Sequence, residues 1–337
     1  MTEKTLTNTK KRIPLLDVLR GVALVAMAIY HFGWDLSFFG YVSSASVNDG
    51  PWKIFARCIA SSFLLLVGFS LVLAHQDGII WRGFWKRWFK VAAAALVITI
   101  ATFYFTPDAF IFFGILHQIA FASLAGLLFL RIPALALLIL GTAIIFFAPY
   151  LKTELLDGVH MSWTGLQAEF VRSNDYVPVF PWFGAVLIGM AASKFALSSG
   201  FLARLPQKDR LSGSRVGGVL GFLGRHSLLT YLVHQPVLIA LIYGYSLVFP
   251  AQIDEAALRS DFATSCQMAC EINNTVAACA YFCGCVEAGL DEAGLFTPVA
   301  TGAIGFNTGK PAEISQQCSI EMFDVPQDQE QEQKPQP

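Results

Sequence analysis

The chain has 337 residues, 55% of them hydrophobic and only 14% charged, with a net charge of −1 and a mean hydropathy of +0.56. Soluble globular chains carry about 25% charged residues, so the composition excludes an ordinary soluble domain and indicates a polytopic membrane protein, an all-α helical bundle. No strong basic patch points to a nucleic-acid partner, and the first apolar run is too long for the core of a cleavable signal peptide.

Crossing the hydrocarbon core takes about 20 apolar residues in a helix. In chain order the segments that qualify are 14–38, 54–75, 88–106, 110–129, 132–149, 178–197 and 227–249, which predicts about seven transmembrane helices. Only Arg131, Ile132 and Pro133 part the fourth from the fifth, a tight hairpin. Lys and Arg alternate between the connections. Lys4, Lys10, Lys11 and Arg12 precede the first span; Arg82, Lys86, Arg87 and Lys90 surround the start of the third; Arg131 and the 198–226 loop lie on the same side. Loops 39–53, 107–109 and 150–177 are nearly free of basic residues. This pattern predicts a cytoplasmic N-terminus and, after seven crossings, a C-terminal tail outside, as in a bacterial inner (plasma) membrane.

The expected organisation is a cytoplasmic tail over 1–13, a transmembrane domain over 14–250, a small cysteine-rich extramembrane segment over 251–320 and a disordered end over 321–337. Residues 251–337 hold 13 acidic and 3 basic side chains and six of the seven cysteines. Within "CQMACEINNTVAACAYFCGC" two Cys-x3-Cys pairs are separated by eight residues. Positions four apart share a helix face, so two helices folded at Asn273-Asn274 are expected to be stapled as Cys266–Cys283 and Cys270–Cys279. Disulfides persist in oxidising compartments, in agreement with the charge-based orientation. Zinc held by the same thiolates is the rival reading; the expectation is no metal.

The first span, "LLDVLRGVALVAMAIYHFGWDL", carries Asp17, Arg20, His31 and Asp35. Arg20 and His31 are eleven residues apart, which at 100° per residue returns to within about 20° of the same face, about 16 Å further along the axis. Asp17 and Asp35 fall near the same stripe. Charged groups near the bilayer centre cost about 2.5–3.5 kcal/mol each and persist where they face the bundle or a water-filled path. An interfacial i,i+3 pair is the plain reading of Asp17 with Arg20, and a helix–helix hydrogen bond that of His31. Polar company elsewhere favours a functional face: His117 and Gln118 in the fourth segment, and Ser227, Tyr231 and His234 on one face of the seventh, beside Gln235. His31 is then a candidate base, with Asp35 holding its tautomer and, by depth along the helices, His117 as its expected neighbour. His75 is expected at the interface, His226 at the cytoplasmic mouth beside Arg225 in a structural or phosphate-contact role, and His160 in an exposed loop.

At this point the residues show a resemblance. "LLDVLRGVALVAMAIYH" resembles the opening helix of transmembrane acyltransferases, and its Arg-x10-His spacing resembles the bacterial acyltransferase-3 family. "FGILHQIA" (113–120), "FPWFGAVLIGMAAS" (180–193) and "GRHSLLTYLVHQPVLIALI" (224–242) resemble the heparan-α-glucosaminide N-acetyltransferase catalytic-domain family and its bacterial relatives. The resemblance covers residues 12 to about 245. It implies an acyl-CoA donor, such as acetyl-CoA, on the cytoplasmic side and a sugar or glycoconjugate acceptor outside, with membrane lipids as surroundings. Arg20 matches the donor-side arginine and His31 the essential histidine; Arg82, Lys86 and Arg87 are expected to help hold the CoA phosphates. His31 is expected to deprotonate the acceptor or to become transiently acylated itself; His117, Gln118, Tyr231, His234 and Gln235 are expected to bind the acceptor, the histidines and glutamines alternatively to stabilise a developing oxyanion. The relatives' histidine in the first outer loop has no counterpart, because "SSASVNDGPWK" holds Trp52 but no His. A proton-coupled transporter or flippase, and a scaffold with a stapled outer cap, are the alternative functions.

Overall fold

A computed structural model describes residues 13–42, 47, 50–158, 160–169, 171–204, 214–251, 255–271, 274–302, 304–306 and 309–324. The expected N-terminal tail up to residue 12, the turn residue Asn273 and the end of the chain from 325 lie outside the described residues. The fold is all-α. Among the described residues the one strand-like pairing is an isolated bridge between Thr153 and Gln167.

The long helices are α1 (Pro14–Phe38), α2 (Gly50–Ala74), α3 (Trp81–Phe105), α4 (Ile115–Ala125), α5 (Ala134–Phe147), α6 (Val179–Ser198), α7 (Arg215–Arg225) and α8 (Ser227–Ser246). Six segments are long and apolar enough to cross a membrane, α1, α2, α3, Ala134–Leu151, α6 and α8. The fourth expected span is shorter than the sequence suggested. Residues 110–114 are not helical, and the apolar helix covers only Ile115–Phe129, closing in a 3₁₀ turn over Gly126–Phe129. The third begins at Trp81, seven residues earlier than expected, so the basic and aromatic run "WRGFWKRWFK" is itself helical.

The chain forms two compact units, one of residues up to His31 with Lys53–Val237, the other of Phe32–Trp52 with Leu238 onward. The expected boundary at residue 250 therefore falls inside the second unit. Aromatic contacts explain it: Phe39 meets Tyr243, Tyr41 meets Tyr245, and the Tyr41 hydroxyl donates to the Phe249 carbonyl.

In the first unit α6 is the central helix, and Phe183, Val186, Leu187 and Met190 pack with Leu64 and Leu71 of α2, Ala122 of α4 and Leu137 of α5. Lipid-embedded helices gain most from close backbone approach at small residues. Gly189 of α6 lies against the Leu65 carbonyl and Gly68 of α2 against the Val186 carbonyl. Gly224 of α7 lies against the Asp17 carbonyl and Gly21 of α1 against that of Leu220.

The second unit contains α9 (Glu255–Cys270), α10 (Val276–Glu292), α11 (Phe296–Ala300) and α12 (Gly309–Asp324) around Val286, Leu290, Phe296, Val299 and Cys318. Helix α12 runs past residue 320, into the segment expected to be disordered. Cys266–Cys283 and Cys270–Cys279 pair as the spacing predicts, and a third bridge joins Cys285 to Cys318. All six tail cysteines are thus in disulfides. Arg259 ties α9 to α10 through Glu287 (3.0 Å) and Asp291 (2.6 Å) and sits 4.4 Å over the Phe296 ring.

The glycine contacts give a paired test. A methyl group at Gly189 collides with backbone that cannot move aside, whereas one at Gly218 of α7 meets nothing within 4 Å. Gly189→Ala is expected to lower stability by about 1–3 kcal/mol. Gly218→Ala is expected to be neutral or to stabilise by up to about 1 kcal/mol. Thermal unfolding of the two purified variants in detergent measures the difference.

Candidate functional site

Arg20 is the first residue to place. One turn after Asp17 on α1, its guanidinium donates to the Asp17 carboxylate at 2.8 Å and to the Ser70 hydroxyl of α2 at 2.6 Å. A charge-assisted pair with an added hydroxyl is what a guanidinium needs among apolar helices. The interfacial pair read from sequence is present, and a second helix reinforces it.

Arg20 and Ser70 line a cavity of about 390 Å³ enclosed by α1, α2, α3, α4 and α8. Its apolar wall includes Leu24, Phe63, Val67, Trp88, Leu116 and Ile119; its polar side chains include His75, Arg87, Ser123, Ser227 and Tyr231. Trp88 is fixed by donating its indole N–H to the Ala120 carbonyl at 2.9 Å. His75, expected at an interface, is buried; its Nδ1 faces the Leu71 carbonyl at 2.8 Å, so that nitrogen carries the proton. The volume lies within the range of small-molecule sites, about 300–1,000 Å³, near the lower end.

Arg82 and Lys86, expected beside Arg20, do not line this cavity; both are exposed, and of the basic residues in that run only Arg87 reaches it. Helical geometry is the reason. Phe84, Arg87, Trp88 and Val91 share the face of α3 turned to the cavity. At about 100° per residue, Arg82 falls on the opposite side.

Tyr231 of α8 links the cavity to the histidines. It lines the cavity and packs against the clusters around Leu64, Leu24 and Ala94. Its ring centroid is 5.6 Å from that of His234, which in turn is 5.0 Å from that of His31. The first and seventh expected spans thus bring a histidine pair together, where the sequence had pointed to His117 as the neighbour of His31. His234 Nδ1 lies 2.5 Å from the Tyr231 carbonyl and must carry the proton for that contact. Its Nε2 then holds a lone pair, buried and without a hydrogen-bond partner among the described residues.

His117 has a different setting. Its Nδ1 accepts the Gly114 N–H at 3.2 Å, and its Nε2 meets the Thr99 hydroxyl at 3.1 Å, which itself donates to the Ile111 carbonyl at 2.6 Å. Nδ1 therefore caps the start of α4, and Nε2 ties it to Thr99 of α3. Gln118 beside it is fully buried, and its amide oxygen and nitrogen have no partner among the described residues. Asp35, 1% exposed, stands one turn beyond His31 on α1, and Gln235 follows His234 on α8. His160 and His226 are exposed.

Asp175 is a site residue that no sequence pattern marks. It sits in the connection before α6, accepts the Ile115 N–H at the start of α4 at 2.9 Å, and acts electrostatically on Tyr30 and Tyr231. Ile115 and Tyr231 both line the cavity. Burial pushes its carboxyl up to about 6, against the Ile115 N–H, which lowers it. A loop aspartate with no motif around it gives no sequence signal.

A family model described as heparan-alpha-glucosaminide N-acetyltransferase, catalytic, matches residues 12–236, the greater part of the chain. Neither the curated proteins nor the solved structures contain a match.

The Asp175 carboxyl gives a pH test. Its folded value, about 6, lies above the ordinary 3.8, so the folded protein holds the proton more tightly. Its contribution to stability is full at low pH and declines as pH rises through the interval between those values. Asp175→Asn keeps an oxygen for the Ile115 N–H and removes this dependence. Wild-type melting temperature is expected to fall, relative to the variant, between about pH 4 and pH 6; parallel profiles contradict the assignment.

Proposed function

The chain belongs to the heparan-alpha-glucosaminide N-acetyltransferase catalytic family, and on that premise we propose that it moves an acetyl group from cytoplasmic acetyl-CoA to a sugar or glycoconjugate hydroxyl or amine on the far side of the membrane. The observation that carries this reading is the continuity of three features: a cavity lined by Arg20 and Arg87, Tyr231 in its wall, and the His31–His234 pair beside Tyr231.

Each feature has a role in the reading. Arg20 and Arg87 hold phosphate oxygens of CoA, for which a guanidinium is well suited. The apolar wall takes the pantetheine arm, and the thioester reaches towards Tyr231. A histidine Nε2 removes the acceptor's proton as the acceptor oxygen or nitrogen bonds to the acetyl carbonyl carbon. The C–S bond then breaks, the CoA sulfur leaves with the electron pair, and the imidazolium returns the proton to it. His31 is assigned as this base and His234 as its partner; Asp35 is assigned to the tautomer of His31, and Gln118 and Gln235 to the acceptor. The cytoplasmic placement of the donor is supported by the alternation of Lys and Arg between connections. The outer placement of the C-terminal tail is supported by the three disulfides within it.

The test uses the full chain in vesicles with labelled acetyl-CoA, following both free CoA thiol and labelled product. His31→Ala is expected to slow transfer by about 10²–10⁴-fold with acetyl-CoA affinity nearly unchanged. Arg87→Gln is expected to weaken acetyl-CoA binding about tenfold, the size of a lost charged hydrogen bond. Undiminished transfer by His31→Ala overturns the assignment of the base; undiminished binding by Arg87→Gln overturns the donor site.

A further inference from the structure

We propose that the outer face at the start of α3 is a binding site for the headgroups of anionic phospholipids, formed by Arg82, Lys86 and Lys90 beside Trp81, Trp85 and Phe89. The first ten residues of α3 divide into two faces. Taking Trp81 as the origin and about 100° per residue, the cavity-lining Phe84, Arg87, Trp88 and Val91 cluster around 290°. Trp81, Trp85 and Phe89 fall between about 0° and 80°, and Arg82, Lys86 and Lys90 between about 100° and 180°. These six form one continuous face opposite the cavity, and all six are exposed. The aromatic half is an ordered array, with Trp81 stacked on Trp85 at 6.4 Å and Phe89 5.7 Å from Trp85.

Among the described residues nothing answers the charge on this face. Helix α3 contains no acidic residue, and none of Arg82, Lys86 and Lys90 makes an ion pair with a described residue. Cations at i, i+4 and i+8 stand on one line, about 6 Å apart along the axis. Their Cα–Cβ bonds tilt towards the helix N-terminus, which carries the Lys90 ammonium back out of the hydrocarbon. From Val91 to Phe105 the helix has no charged residue. Lys90 therefore marks the edge of the apolar core, and the two stripes occupy the interfacial depth where Trp rings anchor and phosphates lie. The occupant is a lipid rather than the nucleotide of a donor, because the face points away from the cavity and its aromatic half is apolar surface needing cover.

The experiment measures the relative binding constant of brominated phosphatidylglycerol against brominated phosphatidylcholine by tryptophan quenching in vesicles of the full chain. Trp81 and Trp85 border the cations and report directly. Wild type is expected to prefer phosphatidylglycerol, and the triple variant Arg82→Gln, Lys86→Gln, Lys90→Gln to lose that preference by about tenfold or more. Arg87→Gln is expected to keep it. Acetyl-CoA affinity, measured in parallel, is expected to stay within about twofold of wild type in the triple variant. A triple variant that keeps the lipid preference overturns the proposal. So does a wild type indifferent to headgroup charge, or a triple variant that binds acetyl-CoA markedly less well, which would make the donor phosphates the occupant. The triple variant's melting temperature in phosphatidylcholine, expected to match wild type, separates these results from misfolding; a lower one there would show that the three cations stabilise the fold itself and would overturn the proposal.

Discussion

A guanidinium on an apolar helix is tolerated only where other groups complete its hydrogen bonds, and Arg20 is such a case. Asp17 answers it from the preceding turn and Ser70 from α2. The same turn of α1 lies against α7, because glycine at 224 lets the backbones approach at the Asp17 carbonyl. These contacts set the rotation of α1 about its axis. With that fixed, His31, eleven residues further on, faces His234. The ionic contact and the histidine pair are two consequences of one helix orientation.

The second organising element is the split character of α3. One face closes the cavity with Phe84, Trp88 and Val91 and contributes Arg87; the other carries exposed rings and cations. A basic cluster that reads in sequence as one donor-binding unit is thereby divided between two surfaces. Tyr231 has a comparable bridging position, since one side chain takes part in the cavity wall and in three apolar clusters. Changes at that position are felt both in packing and in the approach to the histidines.

Much of this was legible in the sequence because periodic patterns survive folding. Apolar runs gave the spans, and the Cys-x3-Cys spacing gave two of the bridges, since both depend on local helical geometry. The Cys285–Cys318 bridge, 33 residues apart in the chain, depends on how α12 returns to α10 and has no local signature. The fourth span was overestimated because Phe110, Ile111, Phe112 and Phe113 are apolar yet not helical; Gly114 and the caps from His117 and Asp175 begin the helix later. Pairing His31 with His117 by depth alone failed to anticipate His234, because depth along a helix says nothing of which neighbour it faces. Asp175 and Ser70 were invisible for a related reason: each matters through a partner 60 or 50 residues away.

A structure of the full chain with acetyl-CoA bound, determined in a lipid environment, tests the cavity's role as donor site most directly. Phosphate density is expected within hydrogen-bond distance of the Arg20 and Arg87 guanidinium groups, the pantetheine arm between α1, α3 and α4, and the thioester carbonyl nearest Tyr231 and the histidine pair. Donor density on the Arg82 face of α3, or a thioester remote from His31 and His234, would contradict it.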